Sequence, residues 1–247
     1  MKISVVMASY NSEATIGKAV ESFLSQDYHD KELIVIDGAS RDRTCEIVRS
    51  FGSPQIQLYS SPDKGIYDAM NKGLSHMSGD AFGCLNSDDR FHSAAVLSKM
   101  ALALEGADLV SARLNFVREH GQQPVRVWQA ALYRPGAFAR GLTLPHPATY
   151  ARRIVLERVG EFSTAYRSAG DYDWLMRALE IECFRHVVIQ DVVVDMLIGG
   201  ESTGGVGAIL KNSREMLEIR RRRLGSGVVD TALFLNLLIK LRQVVRR

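Results

Sequence analysis

The sequence predicts an α/β fold: a mostly parallel sheet with helices on both faces, followed by C-terminal helices. Three observations predict it. Short, β-branched apolar runs alternate with segments of helical periodicity through the first half of the chain. Those runs end, one after another, in small polar and acidic residues, as buried parallel strands do where they leave a sheet. The 247 residues, 46% hydrophobic and 24% charged, suffice for one large core and fit neither a disordered chain nor a membrane bundle.

The elements follow in order. Ile3 to Ala8 is a buried strand ending in a polar turn. Asn11 and Ser12 are N-cap candidates for a helix carrying Ile16, Ala19, Val20, Phe23 and Leu24 at helical spacing. Leu33 to Ile36 is a second strand, closed by Asp37-Gly38, and Asp42 can cap a helix running through Phe51. Ile56 to Tyr59 is a third strand, Tyr67 to Met77 a helix, Ala81 to Leu85 a fourth strand and Ala94 to Leu104 a helix. Regularity breaks down after about Ala112, and Leu114 to Tyr133, with its Gly, Gln and Pro, reads as an irregular hairpin or lid. A short helix (Ile154 to Val159), a clear helix (Asp171 to Glu182) and a strand (Val187 to Val194) come next. A Gly-rich loop from Gly199 to Gly207 leads to two closing helices, Ala208 to Arg222 and Val228 to Val245. No internal repeat or long linker divides the chain.

Composition excludes several classes. Three separated cysteines (Cys45, Cys84, Cys183) form no disulfide framework and no thiolate zinc site. The N-terminal apolar run is too short for a signal peptide and no run approaches a membrane span, so a cytoplasmic protein is expected. From Lys211 onward ten Lys or Arg face three Asp or Glu, whereas the residues before it are net acidic. An acidic body with a basic tail does not suit nucleic acid. The four arginines within Ile219 to Leu224, followed by the apolar Ala232 to Ile239, suit either a helix packed on the body, a dimerisation helix or one lying on an anionic membrane.

Ligands of an open parallel sheet bind beyond the carboxyl ends of its strands. Ser9-Tyr10-Asn11, Asp37-Gly38-Ala39-Ser40, Asp63-Lys64-Gly65 and Asn86-Ser87-Asp88-Asp89 all fall there. Each alone is as readily a turn, a cap or a solvated pair; their joint placement is what points to a site. Adjacent carboxylates at Asp88 and Asp89 repel unless a cation intervenes, and a hard divalent ion bridging a carboxylate to phosphates answers that need. A nucleotide diphosphate is then the natural partner, with Tyr10 able to stack on its base and Asp37 to accept from a base N–H. Tyr10 reads equally as a packed core aromatic. Gly205-Val206-Gly207 is neither a dinucleotide fingerprint, since Leu210 holds the third glycine position, nor part of a P-loop, since Val206 stands where Lys must be.

Those residues carry a resemblance. Ser4-Val5-Val6-Met7-Ala8-Ser9-Tyr10-Asn11, Asp37-Gly38-Ala39-Ser40, Asp63-Lys64-Gly65-Ile66-Tyr67-Asp68-Ala69-Met70-Asn71-Lys72-Gly73 and Leu85-Asn86-Ser87-Asp88-Asp89 are similar to the family 2 glycosyltransferases of GT-A, Rossmann-like fold. The third segment resembles the branch that builds cell-surface polysaccharides, including colanic-acid-type enzymes, and Pro145-His146-Pro147-Ala148-Thr149 and Gly170-Asp171-Tyr172-Asp173-Trp174 match later landmarks. The resemblance implies a GT-A domain over 1–207, divided into a nucleotide-sugar half (1–112) and an acceptor-side half (113–207), with basic C-terminal helices over 208–247. It implies an inverting transfer from a nucleotide-diphosphate sugar to a sugar or lipid-linked saccharide acceptor, in cell-surface polysaccharide or glycolipid synthesis; a basic tail lying on an anionic membrane would set this at the inner face of the plasma membrane. Ala8, Tyr10, Asp37, Lys64 and Asp88 would bind the nucleotide, Asp88 at the ribose, and Asp89 would hold Mg²⁺ or Mn²⁺. Asp171 would be the general base, with Asp173 the next candidate; Gly170 replaces a Glu of the family pattern and Ala39 a Ser. Asp171 also reads as a helix N-cap. From another class, a catalytically silent nucleotide- or sugar-binding protein on the same fold fits the same motifs. A nucleotidyltransferase is disfavoured, because no early Gly-rich basic loop is present.

Overall fold

The computed structural model describes residues 1–199 and 206–225. Strands β1 (Ile3–Ser9) and β2 (Lys31–Asp37) are buried along almost their whole length, which is why both read as unbroken apolar runs. Alternate positions face different layers. Ile3, Val5 and Met7 of β1 and Leu33 and Val35 of β2 pack with α1 (Ile16–Leu24), α2 (Thr44–Ser50) and α4 (Val96–Leu104). Val6, Ile34 and Ile36 face the other layer, formed by α3 (Ile66–His76), α5 (Arg153–Val159), α6 (Gly170–Met176) and α7 (Val206–Leu224).

The remaining strands are β3 (Ile56–Ser60), β4 (Ala81–Cys84), β5 (Arg90–Phe91), β6 (Leu109–Val117), β7 (Arg126–Trp128), β8 (Thr149–Arg152) and β9 (His186–Leu197). One sheet runs β3-β2-β1-β4-β8-β6-β9-β5, with β7 paired to β6. β3, β2, β1 and β4 are parallel, as are β6 and β9; β8 enters antiparallel between β4 and β6. Gly83 makes that junction possible, since a Cβ there would run into the Tyr150 ring of β8.

Every strand and helix expected before Ala112 is present within a residue or two. The caps differ: Thr15 precedes α1 without a side-chain cap, while Asn11 and Ser12 serve loop contacts instead. Asp42 does accept from the Thr44 N–H at the start of α2. Sequence reasoning missed β5, β6 and β8. The stretch expected to be irregular opens as β6, a buried strand, and then folds back as a hairpin onto β7. The helix from Asp171 continues past Met176 as a π-helical turn, Arg177–Ile181. Most of the Gly-rich loop and the last expected helix lie outside the described residues.

At the amino ends of the strands, Glu32 organises a buried polar cluster. One carboxylate oxygen accepts from Ser4 Oγ (2.6 Å) and the Ser78 N–H (2.7 Å), the other from Ser78 Oγ and Lys2 Nζ (both 2.8 Å). Burial pushes its carboxyl up, but these donors outweigh burial and bring it down to about 2. A carboxyl depressed in the fold stabilises above its unfolded value and loses that contribution as pH falls through the folded one. Glu32→Gln should therefore destabilise on the order of 2 kcal/mol at pH 7. Urea unfolding of parent and variant should converge between pH 4.5 and pH 2; a constant gap across that range would contradict the account.

Candidate functional site

The four polar strand ends do meet, and hydrogen bonds between loops hold them. The loops after β1 and β2 are zipped together: the Asn11 N–H donates to Ser40 Oγ (2.7 Å), the Arg41 N–H to Asn11 Oδ1 (2.9 Å) and the Ser12 N–H to Thr44 Oγ1 (2.7 Å). Ser12 Oγ lies 2.9 Å from Ser87 Oγ in the loop after β4. Gly38 sits under the loop after β3, where a Cβ would stand 2.6 Å from Asp63 Oδ2 and 3.3 Å from the Tyr10 ring. Residues separated widely in sequence thus form one rim.

Tyr10 is 61% exposed at that rim, which removes the core-aromatic reading. Ala8 is partly buried beside it. Asp37 is fully buried and accepts from the Ser40 N–H (2.9 Å), Ser40 Oγ and Ser60 Oγ (2.7 Å). Burial alone would raise its carboxyl, but those hydrogen bonds hold it below its ordinary value, so the rim carries a fixed negative charge. Lys64 stands apart, exposed, with its backbone N–H bonded to Asp68 Oδ2 at 3.1 Å.

Asp88 and Asp89 are the electrostatic centre. Burial pushes the Asp88 carboxyl up, and burial together with the Asp88 charge pushes Asp89 well above the usual range. Asp89 is fully buried, yet among the described residues its oxygens meet only neutral donors, Asn86 Nδ2 (2.8 Å) and the Leu197 N–H at the end of β9 (3.1 Å). Among the described residues no Lys or Arg is paired with either carboxylate. Nor do three or more Asp, Glu, His or Cys gather there as a closed cage. Such a pair fits a divalent cation held by one or two carboxylates and completed by phosphates, because the cation is what would let both ionise. His120, absent from the sequence reading, closes over this loop, with Nε2 2.9 Å from the Asp88 carbonyl.

Asp171 lies in the first turn of α6, but the cap position is Ala169 and no side chain caps it. Tyr67 Oη donates to Asp171 Oδ1 at 2.9 Å. The Asp171 charge also acts on buried Cys84, at the end of the strand leading to Asp88, and on His146. His146 is buried with its ring edge-on to Phe162 at 5.4 Å, a packing role. Asp173 is unavailable as an alternative base. It is fully buried and ion-paired with Arg177 (2.9 Å) and Arg223 (2.9 Å).

Helix α7 reaches the same loop. Glu215 accepts from the N–H groups of Arg167 (3.2 Å), Ser168 (2.8 Å) and Ala169 (3.0 Å), and Asn212 Nδ2 donates to the Ser168 carbonyl (2.7 Å). Arg220 is buried and Arg223, although exposed, holds Asp173, so the four-arginine run does not form one solvent-facing surface. In the second half of the chain, His186 accepts from the Tyr133 N–H and pairs with Ser111 Oγ (2.9 Å), which continues through Thr149 Oγ1 (2.8 Å) to the Pro145 carbonyl.

Comparison with known proteins places these features in context. The family model described as glycosyl transferase family 2 matches residues 4–159. A relative called an uncharacterized glycosyltransferase (Rv1514c) of Mycobacterium tuberculosis is 28% identical over 228 residues, covering 89% of this chain and 84% of its own. Among solved structures, S. aureus TarS 1-349 in complex with UDP-GlcNAc superposes with a TM-score of 0.69 at 18% identity, over 99% of this chain and 82% of that one. Against a longer TarS chain the match spans 43% of its length. The mannosyltransferase PcManGT from Pyrobaculum calidifontis, in complex with GDP-Man and Mn²⁺, gives a TM-score of 0.68 at 18% identity, over 98% and 69%. At such identities these structures show a shared fold.

Removing Glu215 leaves three N–H groups before α6 without their acceptor, at a cost of about 1–3 kcal/mol. Glu215→Ala should lower stability by that amount and speed amide exchange at Arg167, Ser168 and Ala169 ahead of the rest of the chain. Uniform exchange across the domain would argue against a local clamp.

Proposed function

The chain belongs to glycosyl transferase family 2, a nucleotide-sugar-dependent glycosyltransferase, and on that premise we propose the reaction, the roles and the setting of its site. The reaction is an inverting transfer of a sugar from a nucleotide-diphosphate donor to a hydroxyl of a saccharide or lipid-linked acceptor, in cell-surface polysaccharide or glycolipid synthesis. The observation that carries it is the Asp88–Asp89 pair: burial raises both carboxyls, and Asp89, fully buried, is met by neutral donors.

Tyr10 offers its exposed face to the base, and Ala8 and Asp37 line the base site, with the Asp37 charge oriented by Ser40 and Ser60. Lys64 approaches the nucleotide from the loop after β3, and Asp88 binds the ribose. Asp89 would hold Mg²⁺ or Mn²⁺; when bound, the metal supplies Lewis-acid stabilisation of the leaving diphosphate. A sugar hydroxyl is a poor nucleophile, so a positioned carboxylate must take its proton as the new bond forms. Asp171 has that role: it stands in the first turn of α6, caps nothing and forms no ion pair among the described residues.

The setting proposed for this chemistry is the cytoplasm, against the inner face of the plasma membrane. The basic residues of 208–247 support that reading, and of those described Lys211, Arg214, Arg221, Arg222 and Arg223 are exposed. No helix among the described residues is long and apolar enough to cross a membrane.

Asp89→Asn should abolish the Mn²⁺-dependent part of UDP or GDP binding in calorimetry, while Asp171→Asn should keep donor affinity and lose roughly 10²- to 10⁴-fold in turnover. Metal-independent binding by the parent would remove the role given to Asp89, and binding without donor hydrolysis would leave a silent binding protein. Co-sedimentation with vesicles should rise with anionic lipid and fall on Arg221→Glu/Arg222→Glu; indifference to lipid charge would remove the membrane setting.

A further inference from the structure

We propose that Tyr67 is a positioning residue that locks Asp171 into one orientation, and that Gly170 is the notch that admits its ring. The inference rests on the reading of Asp171 as the base. Tyr67 belongs to α3, in the first half of the chain, and Asp171 to α6, in the second. The ring is 7% exposed and stacks on Phe162 with centroids 6.0 Å apart. A Cβ on residue 170 would stand 2.8 Å from that ring and 2.9 Å from the Ser163 carbonyl oxygen. Any residue but glycine at position 170 therefore displaces the phenol.

The hydroxyl's bond fixes its direction: the phenol donates its one proton to Asp171 Oδ1, 2.9 Å away, because a carboxylate oxygen can only accept. Burial pushes the phenol well above its ordinary value, so it keeps that proton and does not compete as a base. Oδ1 is tethered and Oδ2 is left to receive the acceptor's proton. The tether is stiff because α3 is itself fixed to the loop before α6. Asn71 Nδ2 donates to the Phe162 carbonyl, and the Phe162 N–H donates to Asn71 Oδ1, each at 2.9 Å.

The test is a double-mutant cycle in turnover of UDP-GlcNAc, UDP-glucose and GDP-mannose with Mn²⁺, alongside nucleotide calorimetry. Tyr67→Phe keeps the ring and should lower kcat ~10- to 100-fold, the scale of a small misplacement of a catalytic group, with donor KM and nucleotide Kd unchanged. In the Asp171→Asn background the same change should cost nothing further, because there is no base left to position. Gly170→Ala, which moves the ring but keeps the hydroxyl, should reproduce the kcat loss and serves if Tyr67→Phe does not fold. Parental kcat in either folded variant, or a full additional loss in the double variant, would overturn the proposal. Asp171→Asn at the parental rate would remove the base assignment, and this inference with it; an inactive Asp171→Asn beside a fully active Tyr67→Phe would remove this inference alone.

Discussion

Helix α3 lies against the sheet because residue 73 has no side chain. A Cβ on Gly73 would collide with Val6 of β1, so only glycine lets the helix backbone approach that closely. Much of the site follows from this contact. The same helix presents Tyr67 to Asp171 and Asn71 to the Phe162 backbone, and Asp68 receives the Lys64 N–H and the Lys72 side chain. One helix, set at one depth, thereby joins the strand ends of the first half to the first turn of α6 in the second. The segment from Asp63 to Gly73, conspicuous in the sequence, is a set of attachments as much as a set of ligands.

How much of this could be read from the sequence depends on where each signal originates. β1, β2 and β4 were legible because a strand buried on both faces is a near-continuous apolar run, whereas the half-buried β3 shows through its alternating Ile56 and Leu58. β6 was not, because Ser111, Arg113 and Asn115 interrupt its apolar residues and gain their partners only from β8 and β9. β8 and β5 are too short to carry a pattern and exist through their register with neighbours. The rim motifs were legible because polar residues after successive strands stand together by topology. Tyr67, with Met70 and Leu74 at helical spacing, reads as core, and Glu215 reads as a solvated helix charge. Their roles belong to contacts made across the whole chain. Asp173 shows the converse: next but one to Asp171 in sequence, it is turned into a buried pair with two guanidinium groups.

The second half of the chain is organised by satisfied buried polar groups. His186 stays neutral, its imidazole lowered to about 4 by burial, and accepts a backbone N–H while bonding to Ser111. That chain of bonds ties the segment around Tyr133 and Pro145 to the centre of the sheet. Leaving one member unpaired would cost the desolvation of a buried polar group, so the segment is held in one place. Helix α7 adds the other brace, capping the approach to α6 with Glu215 and neutralising Asp173 with Arg223.

The order of strands in the sheet sets an order of events during synthesis. β3, β2, β1 and β4 are complete once the ribosome has passed residue 84, and they are mutually paired. The partner that covers the open side of β4 is β8, and β8 in turn needs β6. Until residue 152 emerges, the nascent chain therefore carries a fully apolar, unpaired strand edge, the kind of surface that recruits other chains. A ribosome pausing between those two points would expose a sticky half-sheet, and a chaperone that binds bare β-edges would find its substrate there.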